Sequence, residues 1–149
     1  MCEGAAEWPL FAGLGPVGAL DSVPRVGRSF CTVVLRGWGL GELVADAELI
    51  TSELAANVVQ AATGLDGRPC YDAGRLPVLW LRLLSDRVRL RVEVWDDLPL
   101  SCGVPARRRA GDDDECGRGL ELVGALSKDW GWERVPSHDA KRVWATLAA

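Results

Sequence analysis

Glu42-Leu-Val-Ala-Asp-Ala-Glu-Leu-Ile-Thr-Ser-Glu-Leu-Ala-Ala-Asn-Val-Val-Gln-Ala-Ala62 is the clearest periodic run in the chain. Leu43, Ala47, Ile50, Leu54, Val58 and Ala61 recur at steps of three or four. That spacing draws one continuous apolar stripe and predicts a helix over 42–62. Gly64 is placed to stop it. Glu53 and Asn57 lie four residues apart, so they share a face. That face borders the apolar stripe instead of opposing it, and so it can look into a pocket beside the core.

Upstream, Val23–Trp38 reads as a second helix. Ser22 and Pro24 suit its start, Val26, Phe30, Val33 and Gly37 recur at helical spacing, and Gly39 and Gly41 break the chain after it. Residues 1–22 are rich in Gly, Ala and Pro and form a variable segment, compatible with an edge strand near Leu10–Ala19. The organisation expected is therefore this segment followed by one domain over 23–149.

Downstream, residues 63–77 read as a loop. Val78–Leu84, a tight Ser85-Asp86 turn and Val88–Asp96 read as an antiparallel hairpin. In its second strand Val88, Leu90, Val92 and Val94 alternate with Arg89, Arg91, Glu93 and Trp95, which predicts one apolar and one polar face. Leu98–Cys116 lacks periodicity and carries Arg107–Arg109 beside Asp112–Glu115, the pattern of a long mobile loop, either functional or disordered. Leu120, Val123, Leu126 and Trp130 predict a helix over 120–130. Trp132–Val135 and Arg142–Leu147 close the chain as a hairpin around Pro136–Ala140. Helix, helix, hairpin, loop, helix and hairpin together predict an α+β chain. It is a two-layer α/β sandwich with a mixed, mainly antiparallel sheet and its helices on one face.

Composition removes several function classes. A length of 149 residues with 48% hydrophobic and 26% charged side chains fits a single domain with a real core. A net charge of −4 argues against nucleic acid as a direct partner. No apolar run is long enough for a membrane span, and the N-terminus has no early basic cluster of a signal peptide, so a cytoplasmic chain is expected. The cysteines at 2, 31, 70, 102 and 116 form no CxxC pair and read as reduced thiols. His138 is the only histidine, which excludes any site needing two, and it is expected in a surface turn.

Four groups carry candidate chemistry. The Asn57 amide oxygen suits Mg²⁺, a hard cation that prefers oxygen and shares sites with nucleotide phosphates, and Glu53 can orient or deprotonate a hydroxyl. Taken alone, the pair reads first as two ordinary polar helix residues. Alternation along the strand puts Asp96 on the buried face, where a carboxylate needs a donor such as the exocyclic amine of adenine. Otherwise the strand ends at Trp95 and Asp96 opens a turn. Gly117-Arg118-Gly119-Leu120 enters a helix after a loop, either as a phosphate-binding helix start or as a flexible entry. Arg107–Arg109 can touch phosphate or a partner, or remain a solvated cluster. No GxxxxGK[ST] loop is present.

In combination these motifs resemble those of the histidine-kinase-like ATPase superfamily, with its Bergerat ATP-binding fold. Glu48-Leu-Ile-Thr-Ser-Glu53-Leu-Ala-Ala-Asn57 looks like the N box, Val92-Glu-Val-Trp-Asp96-Asp97 like the first glycine box, and Gly117-Arg-Gly-Leu-Glu-Leu-Val123 like the second. Arg28-Ser-Phe30, Trp38-Gly-Leu40, Trp130-Gly131 and Lys141-Arg-Val-Trp144 are similar to segments of the stand-alone anti-sigma-factor serine/threonine kinases. The resemblance runs from about Pro24 to the C-terminus. It implies that Asn57 holds Mg²⁺, Glu53 is the base and Asp96 binds adenine. It implies further that Gly117, Arg118, Gly119 and Leu120 close on ATP phosphates, and that residues 98–116 form a lid. Relatives of this kind bind a sigma factor and phosphorylate a serine on a STAS-like anti-anti-sigma partner, and a homodimer is compatible with the resemblance. Two positions depart from the pattern. Leu98 and Leu100 stand where the first glycine box carries glycines, and Gln60-Ala61 replaces a basic or histidine residue after the N box. The leucines motivate an alternative: a module that binds a sigma factor or its antagonist without phosphotransfer.

Overall fold

The computed structural model describes residues 7–63, 67–68, 74–99 and 115–148. The first hairpin strand, β2 (Val78–Ser85), pairs antiparallel with β3 (Arg89–Asp96). Strand β1 (Leu10–Gly18) flanks β2, and β5 (Ala140–Ala148) flanks β3. The last strand in space is β4 (Asp129–Val135), giving the order β1-β2-β3-β5-β4 with every described pairing antiparallel. Helices α1 (Val23–Gly37), α2 (Val44–Ala61) and α3 (Glu115–Leu126) form the second layer. No described helix is long and apolar enough to cross a membrane.

The core lies between the layers. From α2 it takes Ala47, Ile50, Leu54 and Val58, and from the sheet Leu79, Leu81, Leu83, Leu90, Val92, Val94, Val143, Ala145 and Leu147. The predicted α2 stripe is thus the buried one, after a short 3₁₀ turn at Gly41–Leu43. Gly64 lies outside the described residues.

Helix α1 corrects its predicted face. Val26 and Val33 point to solvent, Val33 at 72% exposure, while Val23, Gly27, Cys31 and Leu35 are buried. The cause is close approach. A Cβ on Gly27 would stand 2.9 Å from Thr51 Cγ2 and 3.1 Å from Leu81 Cδ1, so this seam selects small residues over greasy ones. Cys31 packs there with its Sγ 3.0 Å from Thr51 Oγ1, and burial pushes its thiol up to about 11. It is a free, inert thiol.

The hairpin also differs from expectation. Val88 is 66% exposed in the turn, where the Asp86 carboxylate accepts the N–H groups of Val88 and Arg89. Such a carboxylate prefers to organise its own turn. On the expected polar face of β3, Glu93 and Trp95 are buried. Neighbouring strands cover them. Arg82 and Arg142 lie over the Trp95 ring at 4.4 and 5.2 Å, and Arg91 lies over Trp144 at 4.5 Å. Glu93 accepts from Arg91 Nε at 2.8 Å and from Trp95 Nε1 at 3.1 Å. His138 meets Trp95 edge-on from an exposed turn.

Helix α3 begins at Glu115, earlier than the predicted Leu120, and ends at Leu126. Trp130 reaches the core from β4 and not from this helix. Ser127 closes the helix by donating to the Val123 carbonyl, and Lys128 N–H then joins the sheet at Thr146.

Candidate functional site

Asp96 is the last residue of β3 and fully buried. It continues the core-facing series Leu90, Val92, Val94, so the strand does not end at Trp95 and the carboxylate faces inward; the chain turns only after it. Its Oδ1 accepts the Leu98 N–H at 3.0 Å, an Asx-type turn at the strand exit. Its Oδ2 is sealed from solvent and has no hydrogen bond. The nearest charge is Lys141 Nζ at 3.5 Å, supplied by the antiparallel register that sets Lys141 opposite Asp96. Burial pushes the Asp96 carboxyl above its ordinary range, and the Lys141 ammonium pulls it partly back. Asp97 faces the other way. It accepts the Val78 N–H at 3.0 Å and pairs with Arg75 at 3.4 Å, which pins the strand exit.

Beside this strand end lies a cleft of about 330 Å³ lined by Asp97, Leu98, Arg134, Ala140 and Lys141, among others. Leu98 is buried in the core cluster and also lines this cleft. Leu100, most of the expected lid and Arg107–Arg109 lie outside the described residues.

Glu53 and Asn57 sit half-buried on α2, next to the first turns of α3. The contact is made through Gly119. A Cβ there would stand 2.5 Å from Glu53 Oε2 and 3.7 Å from Asn57 Oδ1. The structure therefore brings the acid–amide pair and the glycine turn together. Gly117, Arg118 and Gly119 are inside α3 instead of preceding it, and Gly119 is its fifth residue, where the free N–H groups of a helix start have ended. The absent side chain makes room for a carboxylate. Leu120 is buried and lines a different cleft, of about 380 Å³, with Gly124, Lys128 and Trp130.

A family model for the histidine kinase-like ATPase domain matches residues 18–147. The chain belongs to this family. No curated protein matches the chain. Membership of an ATPase-domain family supports ATP binding. The match takes in β2, β3 and β4 whole, β5 as far as Leu147, and only the last residue of β1. Within this ATPase domain, Lys141 was the residue least visible beforehand. Its segment figured only as part of a family-like closing strand, and the signal that could have exposed it was the pairing of β3 with β5.

Proposed function

We propose that the chain is an ATP-binding regulatory protein, a Mg-ATP-dependent serine/threonine kinase that acts as an anti-sigma factor in bacterial transcription control. One observation carries the nucleotide reading. Asp96 Oδ2 is a buried acceptor with no hydrogen bond, and an adenine amine is the donor that an ATPase-domain ligand would bring. The oxygen-rich α2–α3 junction fits the other end of the ligand. Asn57 Oδ1 is a neutral oxygen donor suited to Mg²⁺, and the first turn of α3 offers free N–H groups to phosphate. Bound Mg²⁺ would supply charge neutralisation on the phosphates.

In this reading Glu53 takes the proton of a partner serine hydroxyl. The hydroxyl oxygen then bonds to the γ-phosphorus as the bridge to the β-phosphate breaks, and ADP leaves. The partner is a STAS-like anti-anti-sigma protein, and a sigma factor is the second ligand. Calorimetric titration with ATP and Mg²⁺ on the wild type and Asp96→Asn tests binding. Labelled-phosphate transfer to the partner, with Glu53→Ala as control, tests the chemistry. Nucleotide binding with no transfer to such a partner removes the kinase assignment.

A second reading is favoured by Leu98, whose side chain fills core space at the edge of the cleft. There the fold holds ATP weakly and sequesters a sigma factor by surface contact. Partner binding without any ATP heat would select it.

A further inference from the structure

Lys141 is almost completely buried, yet it lines the cleft beside the strand end, with its ammonium 3.5 Å from Asp96 Oδ2. The two side chains form an ion pair that leaves acceptor capacity on the carboxylate. Oδ1 is committed to the Leu98 N–H and Oδ2 lacks a hydrogen bond, so this carboxylate has one acceptor atom to offer a ligand. An ammonium carries three N–H donors on a rotatable head and no acceptor. Side by side, one acceptor and one donor make a two-point pattern. A carboxylate alone reads only an amine.

We infer that Lys141 is a base-reading residue: its ammonium donates to a ring nitrogen flanking the exocyclic amine that Asp96 Oδ2 accepts. This rests on the ATP-binding reading and adds a second specificity contact to it. Adenine supplies the complementary pair, an amine donor with a ring-nitrogen acceptor on either side. Guanine sets a carbonyl beside its ring nitrogens, and its Hoogsteen edge presents two acceptors and no donor. Against that edge Asp96 Oδ2 stays unfilled. On its other edge guanine brings more donors than one carboxylate oxygen can meet. Adenine is therefore preferred over guanine by the pair together, and Lys141 is a positioning and specificity residue, not one that touches the reacting atoms.

The test places the change on the ligand as well as on the protein. Calorimetry with ATP, 1-deaza-ATP and 7-deaza-ATP is run on the wild-type chain, Lys141→Met and Lys141→Gln. Losing a hydrogen bond to a charged group weakens binding by about tenfold or more. The wild type should therefore bind one deaza analogue about tenfold more weakly than ATP. Lys141→Met should bind that analogue and ATP alike. Lys141→Gln, which keeps an N–H donor, should restore part of the difference. If the wild type binds both analogues as tightly as ATP, the inference fails with no variant needed. If Lys141→Met folds and still discriminates as the wild type does, Lys141 merely neutralises Asp96, and the inference fails while ATP binding stands. A wild type that gives no heat with ATP overturns the nucleotide reading and this inference with it.

Discussion

Gly119→Ala places a methyl carbon 2.5 Å from Glu53 Oε2, 3.5 Å from its Cδ and 3.7 Å from Asn57 Oδ1. Ordinary contact begins near 3.4 Å, so the carboxylate oxygen must retreat by roughly 1 Å. The atom that yields is the tip of a flexible side chain on a half-exposed helix face, which keeps the cost to the fold small. Alanine within a helix also gains about 0.5–1 kcal/mol over glycine. The two effects leave stability unchanged or slightly improved, by a few degrees in Tm at most. The chemistry responds differently. If Glu53 is the base, a misplacement of about 1 Å costs on the order of a hundredfold in rate. The variant should therefore melt with the wild type, keep its ATP heat and lose phosphotransfer. The assay pairs thermal unfolding by circular dichroism with labelled-phosphate transfer to the anti-anti-sigma partner. Glu53→Gln in the Gly119→Ala background should add little further loss, since both act on one group. Wild-type transfer by a folded Gly119→Ala protein would refute the role of this contact. A collapse of the melting point would show that α3, and not the Glu53 side chain, gives way.

Three further outcomes follow from the same structure. Lys141→Met leaves the Asp96 carboxylate buried without its counter-charge and should cost about 3 kcal/mol in urea unfolding at neutral pH; stability equal to wild type would contradict the pairing. Acid should act on Asp96 in two opposite senses. Its folded pKa is raised above the ordinary 3.8, so its contribution to stability is fully present below that pH and is lost as pH rises through the folded value. ATP affinity should instead fall as pH drops through that same window, because only the ionised oxygen accepts the amine, and calorimetry showing a flat acid profile would count against it. Gly27→Ala should destabilise by about 1–3 kcal/mol through overpacking against Thr51 and Leu81, read by chemical denaturation; a neutral result would mean that α1 shifts freely.

How much of this was legible in the sequence depends on what each element packs against. Helix α2 buries a broad stripe of ordinary apolar residues, so periodicity alone locates its face. Helix α1 carries two stripes at helical spacing, and hydropathy selects the wrong one. Val26 and Val33 are the greasier residues, but Gly27 and Cys31 fit the narrow seam against Thr51 and Leu81. No scale of hydrophobicity holds that information, because it belongs to the gap between elements. The outer side of β3 fails for a related reason. Glu93 and Trp95 look like solvent-facing residues until Arg82, Arg91 and Arg142 arrive from β2, from β3 itself and from β5 to cover them. The Trp130 misassignment shows the limit of periodicity at a junction, where a residue after a helix can continue its stripe by accident.

The site divides in the same way. Asp96 was readable because strand alternation extends to it, and Glu53 with Asn57 because they share a turn of helix. Lys141 was not, since only the β3–β5 register sets it against Asp96. That partnership bears on why the strand ends as it does. A buried ion pair with an unfilled oxygen is a poor way to hold a sheet together, and well-packed apolar residues of similar size serve as well or better. If Asp96 and Lys141 are kept for a ligand, replacing both should improve the fold while removing the binding. Asp96→Leu with Lys141→Met is the informative double change. It should match or exceed wild-type stability in urea, where Lys141→Met alone falls about 3 kcal/mol below it, and it should give no heat with ATP. A double variant as unstable as the single one would mean that the pair holds the sheet end together, and the case for an acceptor waiting on a nucleotide would lose its energetic basis.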